Sequence, residues 1–364
     1  MNRIMSWLVP LAALSTCSAT ARASVEVEAF LYNPTASKIV LHLPGQNKDE
    51  VMTMAPTLTL WGRGSRNGDY TLRYTVEGVG GKLAEGSAAA KVQDGWFMQD
   101  IEQKEALPQA RSVSWELTAA DGATERGTAA LKWSRFHGKV QYKDGKRRHS
   151  YIDMNPITWG APGEVTIPVA EDGSFDALVP ARVYATVNVN GAGYSYDSLE
   201  RWAWDYDLTR DREDTFTLDR MELYSIHAFE IRGGPPTLFI CFRPTALSRV
   251  LQFDKDGDGV LNDEERKGMG QALRRSPTAI GPELKASDVK VWVDGKAYSV
   301  IQLNQIPEWD GDGMWQVQYV VQIMPERKLT RFVWHEIKLE VESQEELQGK
   351  KIADFGQGSV GLRL

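Results

Sequence analysis

The stretch DYTLRYTVEG (residues 69–78) alternates polar and apolar side chains along most of its length. A period of two puts its apolar residues on one face of a β-strand, so the stretch predicts a strand with one face in a core. Similar runs occur throughout residues 24–135, and turn clusters such as GRGSRNGD (residues 62–69) separate them. Short strands joined by regular turns are typical of an antiparallel sandwich. We therefore expect an Ig-like β-sandwich over residues 24–135, although the Cys-Trp-Cys frame of true Ig domains is absent.

The composition is that of an acidic globular protein. The chain has 364 residues, of which 42% are hydrophobic and 25% charged, and its formal net charge is −7. Contact with phosphates needs a basic face, so we expect no nucleic-acid partner. The 12 Trp, 12 Tyr and 11 Phe residues suit the cores of β-sandwiches and also suit surfaces that stack on sugar rings.

The first 23 residues have the layout of a secretory signal peptide. Arg3 precedes an apolar run over residues 4–14, and small residues lead to an A-x-A cleavage site ending at Ala23. This pattern predicts export to the periplasm or the medium, with no transmembrane segment in the mature chain. The alternative is a lipoprotein anchored through Cys17, because LSTC (residues 14–17) resembles a bacterial lipoprotein cleavage box.

Residues 136–244 predict a second β-sandwich. Short motifs recur in a fixed order: Gly138–Val140, the turn Asp172–Phe175, Val179–Pro180 and Gly193–Tyr194. Their order resembles that of carboxypeptidase regulatory-like domains, which are prealbumin-like sandwiches. The resemblance implies a binding or spacer module without catalysis of its own. The charged, aromatic segment after Tyr194 departs from that pattern, and we expect it to be an inserted, Trp-rich loop.

The third part of the chain combines helical and β signals. Residues 245–276 predict a helix-loop-helix, because apolar residues at helical spacing flank an acidic loop on both sides. Strand patterns return over residues 277–364, which we expect to form a C-terminal β domain. The predicted fold class is therefore mainly β and multi-domain, with β-sandwiches of Ig-like and prealbumin-like type, one helix-loop-helix and a C-terminal β unit.

The acidic loop FDKDGDGVLNDEE (residues 253–265) has the spacing of an EF-hand calcium loop. Calcium prefers six to eight hard oxygen ligands, which an EF-hand supplies from positions 1, 3, 5, 7, 9 and 12. Gly259 occupies position 6, where the loop turns sharply. The predicted calcium ligands are Asp254, Asp256, Asp258, the carbonyl of Val260, Asn262 and Glu265. Residues 254–265 thus resemble the EF-hand family, and the resemblance implies Ca²⁺ as the cofactor.

Two alternatives bear on this loop. A solvated acidic turn would need no metal, but six acids facing a single Lys255 repel one another without a counter-charge. EF-hands usually pair, and no second loop fits, since residues 308–316 read better as a Gly-rich β-turn. A lone hand in an exported protein is expected to bind calcium for structure rather than for signalling.

Other candidate sites are weaker. Asp211, Glu213 and Asp214 offer acids for a hydrolase, and Trp202 and Trp204, with Tyr206, alternate as a strand face that packs in a core or stacks on sugars. No zinc spacing, P-loop or G-x-S-x-G elbow occurs. The C-terminal G-x-G-x-x-G has no helix after it, which excludes a dinucleotide fingerprint.

These observations favour an exported, non-enzymatic calcium-binding protein with a binding or scaffold role at the bacterial envelope or outside the cell. Besides calcium, the partners we consider are a carbohydrate and an envelope protein. A carbohydrate-binding or adhesion protein that uses the Trp-rich loop is the first alternative. An uncharacterised hydrolase is the second.

Overall fold

A computed structural model describes residues 26–34, 37–41, 50–156, 164–191, 194–231, 233–309 and 313–364. The predicted signal peptide, Cys17 and Gly193 lie outside these ranges. Within them the protein is a mainly β, multi-domain chain of β-sandwiches.

The N-terminal domain is a sandwich of two antiparallel sheets. Its strands are β1 (Val27–Tyr32), β2 (Ser37–Leu41), β3 (Glu50–Met54), β4 (Thr57–Arg63), β5 (Gly68–Gly78), β6 (Gly81–Val92), β7 (Trp96–Glu102), β8 (Ala110–Ala119) and β9 (Thr124–Ala130). One sheet has the order β1-β4-β7 and the other β6-β5-β8-β9, while β2 and β3 form a separate hairpin. Tyr70, Leu72, Tyr74 and Val76 of β5 are buried in the core between the sheets, as their alternation predicted.

The middle domain is a second sandwich. Its strands are β10 (Trp133–Tyr142), β11 (Ser150–Asn155), β12 (Val165–Pro168), β13 (Ser174–Pro180), β14 (Val183–Gly191), β15 (Arg201–Asp207) and β16 (Arg212–Leu218). One layer has the order β13-β10-β16, and the other begins β12-β11-β14-β15. The predicted turn before β13 is confirmed: Asp172 Oδ1 accepts the N–H of Ser174 at 2.9 Å, and Gly173 has a φ of +85°.

The third domain holds both α-helices that the described ranges contain. Its elements are β17 (Met221–Glu230), β18 (Leu238–Ala246), α1 (Leu247–Leu251), α2 (Asp263–Leu273), a 3₁₀ turn (Ala286–Asp288), β19 (Val289–Val293), β20 (Lys296–Tyr298), β21 (Gln302–Trp309), β22 (Trp315–Ile323), β23 (Trp334–Leu347) and β24 (Lys350–Arg363). One sheet has the order β17-β18-β22-β21. Neither helix, nor any other in the part of the chain described, is long and apolar enough to cross a membrane.

One sheet of eight strands joins the middle and third domains. Its order is β12-β11-β14-β15-β24-β23-β19-β20, and β15 runs parallel to β24 through the partners Ala203↔Ser359 and Trp204↔Val360. One half of this sheet covers the middle core and the other half covers the third core. The chain passes between these cores from Leu218 to Met221, whereas the boundary expected after residue 244 falls inside β18.

The C-terminal G-x-G-x-x-G lies on β24, and its glycines serve close packing. A Cβ at Gly361 would lie 2.0 Å from the carbonyl oxygen of Asp205, and one at Gly358 would lie 2.3 Å from Ile226 Cδ1. These contacts allow β24 to approach both β15 and the facing sheet.

Candidate functional site

The helix-loop-helix follows β18 without a linker. Ala246 still has extended backbone angles, so α1 has five residues and is shorter than the sequence pattern predicted. Asp354 of β24 fixes the first turn of α1: its carboxylate accepts the N–H and the Oγ–H of Ser248 at 3.0 Å each. Arg220 Nε donates to the same carboxylate at 2.9 Å. The helix-loop-helix is therefore tied to the β core through a fully buried acid.

The first predicted calcium ligand is positioned by the backbone of the loop. Asp254 accepts the N–H of Gly257 at 2.7 Å and that of Gly259 at 2.8 Å, with a different carboxylate oxygen in each case. Both glycines have positive φ angles, +70° and +84°, which an L side chain rarely adopts. Gly259 also faces the middle domain, because a Cβ there would lie 3.3 Å from Tyr196 Cβ.

The last predicted ligand closes the loop. Glu265 Oε2 accepts the N–H of Asn262 at 2.9 Å, and Oε1 accepts that of Lys255 at 2.6 Å. Asn262 Oδ1 in turn accepts the N–H of Glu265 at 3.1 Å, which completes a capping box at the start of α2. The bonds from Asn262 and Lys255 lower the pKa of Glu265, so the side chain is a carboxylate at neutral pH.

Most of the remaining predicted ligands lie at the surface, and Asn262 Nδ2 donates to Asp256 Oδ2 at 3.4 Å. Asp256, Asp258 and Asn262 are exposed, while Val260 is half-buried. Asp258 Oδ1 accepts the N–H of Val260 at 2.8 Å. No group of three or more His, Cys, Asp or Glu side chains within the described ranges is placed to hold a metal ion. Calcium binding by this loop therefore stays a prediction.

The Trp-rich segment is a strand rather than the inserted loop that we expected. It forms β15, which pairs with β14 and with β24, a partner more than 150 residues away that local sequence patterns do not reveal. Asp205 has a φ of +47°, and the register with β14 skips it. The backbone at Asp205 changes the face of the strand without shifting the register, so Tyr206 lies in the middle core, while Trp202 and Trp204 stack on the opposite face with ring centroids 5.6 Å apart. Trp202 is 5% exposed, so no open sugar-stacking strip forms here.

The acids considered for a hydrolase do not form a catalytic pair. Asp211 accepts the backbone N–H of Arg135 at 2.8 Å, and Glu213 is exposed. Asp214 is buried, which opposes ionisation, but the charges of Arg201, Lys338 and Arg212 lower its pKa to about 2. An acid held ionised in this way cannot donate a proton near neutral pH.

A cavity of about 850 Å³ lies where the middle domain, strands β17 and β18, and the helix-loop-helix meet. One wall is the outer face of the middle-domain half of the shared sheet, and a second comes from β17 and β18. The helix-loop-helix supplies the third wall through apolar side chains. Leu261, which pairs with a second loop in ordinary EF-hands, lines this cavity instead.

Three carboxyl groups line the cavity, and the sequence analysis missed all of them. They are Asp153 on β11, Glu200 just before β15 and Glu222 on β17. Burial raises the pKa of Asp153 to about 7, although a hydrogen bond from Thr166 opposes the shift. Burial also raises the pKa of Glu200 to about 7 and that of Glu222 to about 8. Perturbed acids grouped in a cavity are a common mark of a functional site.

These shifts predict a pH-dependent stability. A carboxyl whose pKa is higher in the folded protein than in the unfolded chain stabilises the fold at low pH, and this contribution is lost as pH rises through the folded value. We expect the free energy of unfolding in urea to fall between about pH 5 and pH 8. Glu222→Gln removes the largest of these shifts, so its profile should fall less steeply than that of the wild type. Parallel profiles would contradict the assignment.

A repeated local pattern accompanies the three acids. Each lies two residues from an aromatic side chain on the same strand face, as in Tyr151-Ile-Asp153, Glu200-Arg-Trp202 and Glu222-Leu-Tyr224. All six of these side chains line the cavity. This spacing is the one sequence signal that points to the site.

Comparison with known proteins gives no family. No family model matches the chain, and no curated protein matches it. Among solved structures, a DUF3823 family protein from Parabacteroides merdae is 10% identical over 64% of this chain and 100% of its own length, with a TM-score of 0.19. BcpA, the major pilin subunit of Bacillus cereus, is 10% identical over 54% of this chain and 70% of its own, with a TM-score of 0.18. Similarity at this level carries no argument about function.

Proposed function

We propose that this chain is an exported, non-enzymatic binding or scaffold protein in which calcium, held by residues 254–265, stabilises the helix-loop-helix between the β domains. The observation that best supports this proposal is that backbone amides fix the carboxylates of Asp254 and Glu265, at the two ends of the loop. Oxygen-rich side chains at the EF-hand spacing match the ligand preference of calcium. The carboxylates of Asp256 and Asp258, the carbonyl of Val260 and the side chain of Asn262 would complete the set.

The place of the loop supports a structural role. Its first helix begins at a buried ion pair, its Gly259 lies beside Tyr196 of the middle domain, and its Leu261 lines the interdomain cavity. Neutralising the acidic loop would therefore strengthen contacts to both neighbouring domains. Export, which the predicted signal peptide supports, would supply a compartment with steady calcium.

The test is thermal unfolding with and without calcium. Loops of this kind outside cells bind calcium with a Kd of about 10⁻⁴–10⁻³ M, so about 10 mM calcium should stabilise the fold by about 1–3 kcal/mol. We expect the melting temperature to rise with calcium and to return to its starting value with excess EDTA.

Variants separate this site from non-specific binding. The double variant Asp254→Ala with Glu265→Gln should abolish the calcium-dependent rise. Asp263→Asn, an exposed acid in the same run that is not a predicted ligand, should leave the rise intact. A melting temperature of the wild type that does not change with calcium would contradict the proposal.

A further inference from the structure

The interdomain cavity has more acidic than basic side chains in its wall. Asp153, Glu200 and Glu222 line it, and no Lys, Arg or His of the described ranges forms an ion pair with any of them. The two arginines at the wall have partners elsewhere. Arg243 donates bidentate hydrogen bonds to the carboxylate of Glu308, and Arg266 Nε donates to the carbonyl of Leu261 at 2.9 Å. A buried acid without a cation is costly, and a bound cation would remove that cost.

One polar atom in the cavity wall lacks a partner and points to a missing donor. Asn188 on β14 is 4% exposed and lines the cavity; its side chain hydrogen-bonds Glu200, but its Oδ1 has no hydrogen-bond partner. Buried amide oxygens nearly always accept a hydrogen bond, so this oxygen has room for a donor that the protein itself does not provide. A donor that also carries positive charge would satisfy both this oxygen and the nearby carboxyls.

Aromatic rings complete the polar part of the wall. Tyr151, Trp202 and Tyr224 each lie two residues from one of the acids, and Trp202 meets Tyr224 edge to face with centroids 5.1 Å apart. Aromatic faces attract ammonium groups, and aromatic and acidic side chains together recognise organic ammonium ions. Val250 and Met269 of the helix-loop-helix add apolar surface that suits methylene groups.

The spacing of the acids argues against a metal ion. Among the described residues, Asp153, Glu200 and Glu222 do not form a group of three that could hold a metal ion. Positive charges distributed along a flexible chain would meet these acids at three separate places in the cavity wall. The volume, about 850 Å³, lies within the usual range of small-molecule sites.

We propose that this cavity binds an aliphatic polyamine, a small organic cation with two or more protonated amines. Its amines pair with Asp153, Glu200 and Glu222, its methylenes lie against the helix-loop-helix, and one N–H meets Asn188 Oδ1. The net charge of −7 would further attract such a ligand. This site is separate from the calcium loop, although Leu261 and Val260 belong to both the loop and the cavity wall.

The experiment is calorimetric titration of the full chain with spermidine, at constant calcium and low salt. At about pH 8.5 we expect one binding site. A hydrogen bond to a charged group contributes about 1.5–3 kcal/mol, so Glu222→Gln should weaken binding by about tenfold or more. Glu200→Gln should act in the same direction. Glu171→Gln, an exposed acid of the middle domain outside the cavity, is the matched control and should bind like the wild type.

The pH dependence is a second readout. Below about pH 6 the three acids are protonated in the free protein, so spermidine should bind more weakly than at pH 8.5. The other charged or titratable side chains that face them are Glu164, Tyr151, Tyr194, Tyr224, Arg243 and Arg266. Thermal melts of each variant verify that it is folded.

Three results would overturn the proposal. The first is no binding of spermidine by the folded wild type at pH 8.5. The second is equal binding of spermidine by the wild type, Glu222→Gln and Glu200→Gln. This result would mean that spermidine binds to the acidic protein surface rather than in the cavity. The third is binding of a neutral oligosaccharide, lost in Trp202→Ala, by a protein that does not bind spermidine.

Discussion

Asp354→Ala should lower the free energy of unfolding by about 3–5 kcal/mol, the range for breaking a buried ion pair from one side. Asp354 is 0% exposed and accepts hydrogen bonds from Arg220 and from two groups of Ser248. Its removal leaves the guanidinium of Arg220, whose side chain is 21% exposed, without its carboxylate. It also leaves the N–H of Ser248, in the first turn of α1, without its acceptor. Urea unfolding followed by tryptophan fluorescence measures the loss.

The control lies on the neighbouring strand. Glu342 of β23 pairs with Lys143 at 2.8 Å, and both side chains are at least 40% exposed. Because exposed pairs contribute little, Glu342→Gln should cost less than about 1 kcal/mol. Asp354→Asn keeps the shape of the side chain but loses its charge. Its loss of unfolding free energy should therefore lie between those of Asp354→Ala and Glu342→Gln. Equal effects of Asp354→Ala and Glu342→Gln would show that the buried acid does not anchor the helix-loop-helix.

Gly138→Ala should destabilise the middle domain by about 2–6 kcal/mol, the sum of backbone strain and overpacking. Gly138 has a φ of +151°, and a Cβ there would lie 1.8 Å from the carbonyl oxygen of Asp214 on the paired strand β16. Moving β16 away would also disturb the bonds that Asp214 makes with Arg212 and Lys338. Thermal unfolding of the purified variant measures the effect.

Gly68→Ala separates the effect of backbone strain from that of overpacking. Gly68 has nearly the same φ, +147°, but nothing lies within 4 Å of its Cβ position. Its substitution should therefore cost only the strain, about 1–3 kcal/mol. A Gly138→Ala protein as stable as Gly68→Ala would mean that β10 and β16 are not held as closely as described.

Local patterns predicted most strands of the two sandwiches. Alternation placed the apolar side chains of β5 in a core, and the Asp172–Gly173 turn marked the start of β13. The apolar flanks of the acidic loop likewise predicted α2, and the capping box that begins this helix joins Asn262 to Glu265, only three residues apart. In each case the deciding interactions span a few residues, so the sequence contains them directly.

The shared sheet and the cavity depend on distant contacts. Nothing near Trp204 indicates that Val360 will lie beside it. Asp153 and Glu222 each alternate with apolar neighbours, which is the pattern of a solvated strand face. They become half-buried because other parts of the structure cover that face. Burial of this kind is a property of the tertiary structure, and single-strand periodicity cannot reveal it.

The parallel pairing of β15 with β24 also constrains how the chain reaches its native state. The edge of β15 that pairs with β24 has no partner until β24 has been synthesised, because Ser359 and Val360 follow β15 by more than 150 residues. Until then the middle domain exposes an open strand edge, which favours association with other chains. The formation of β24 therefore completes two domains at once. Substitutions that disrupt β24 should impair the folding yield of both domains.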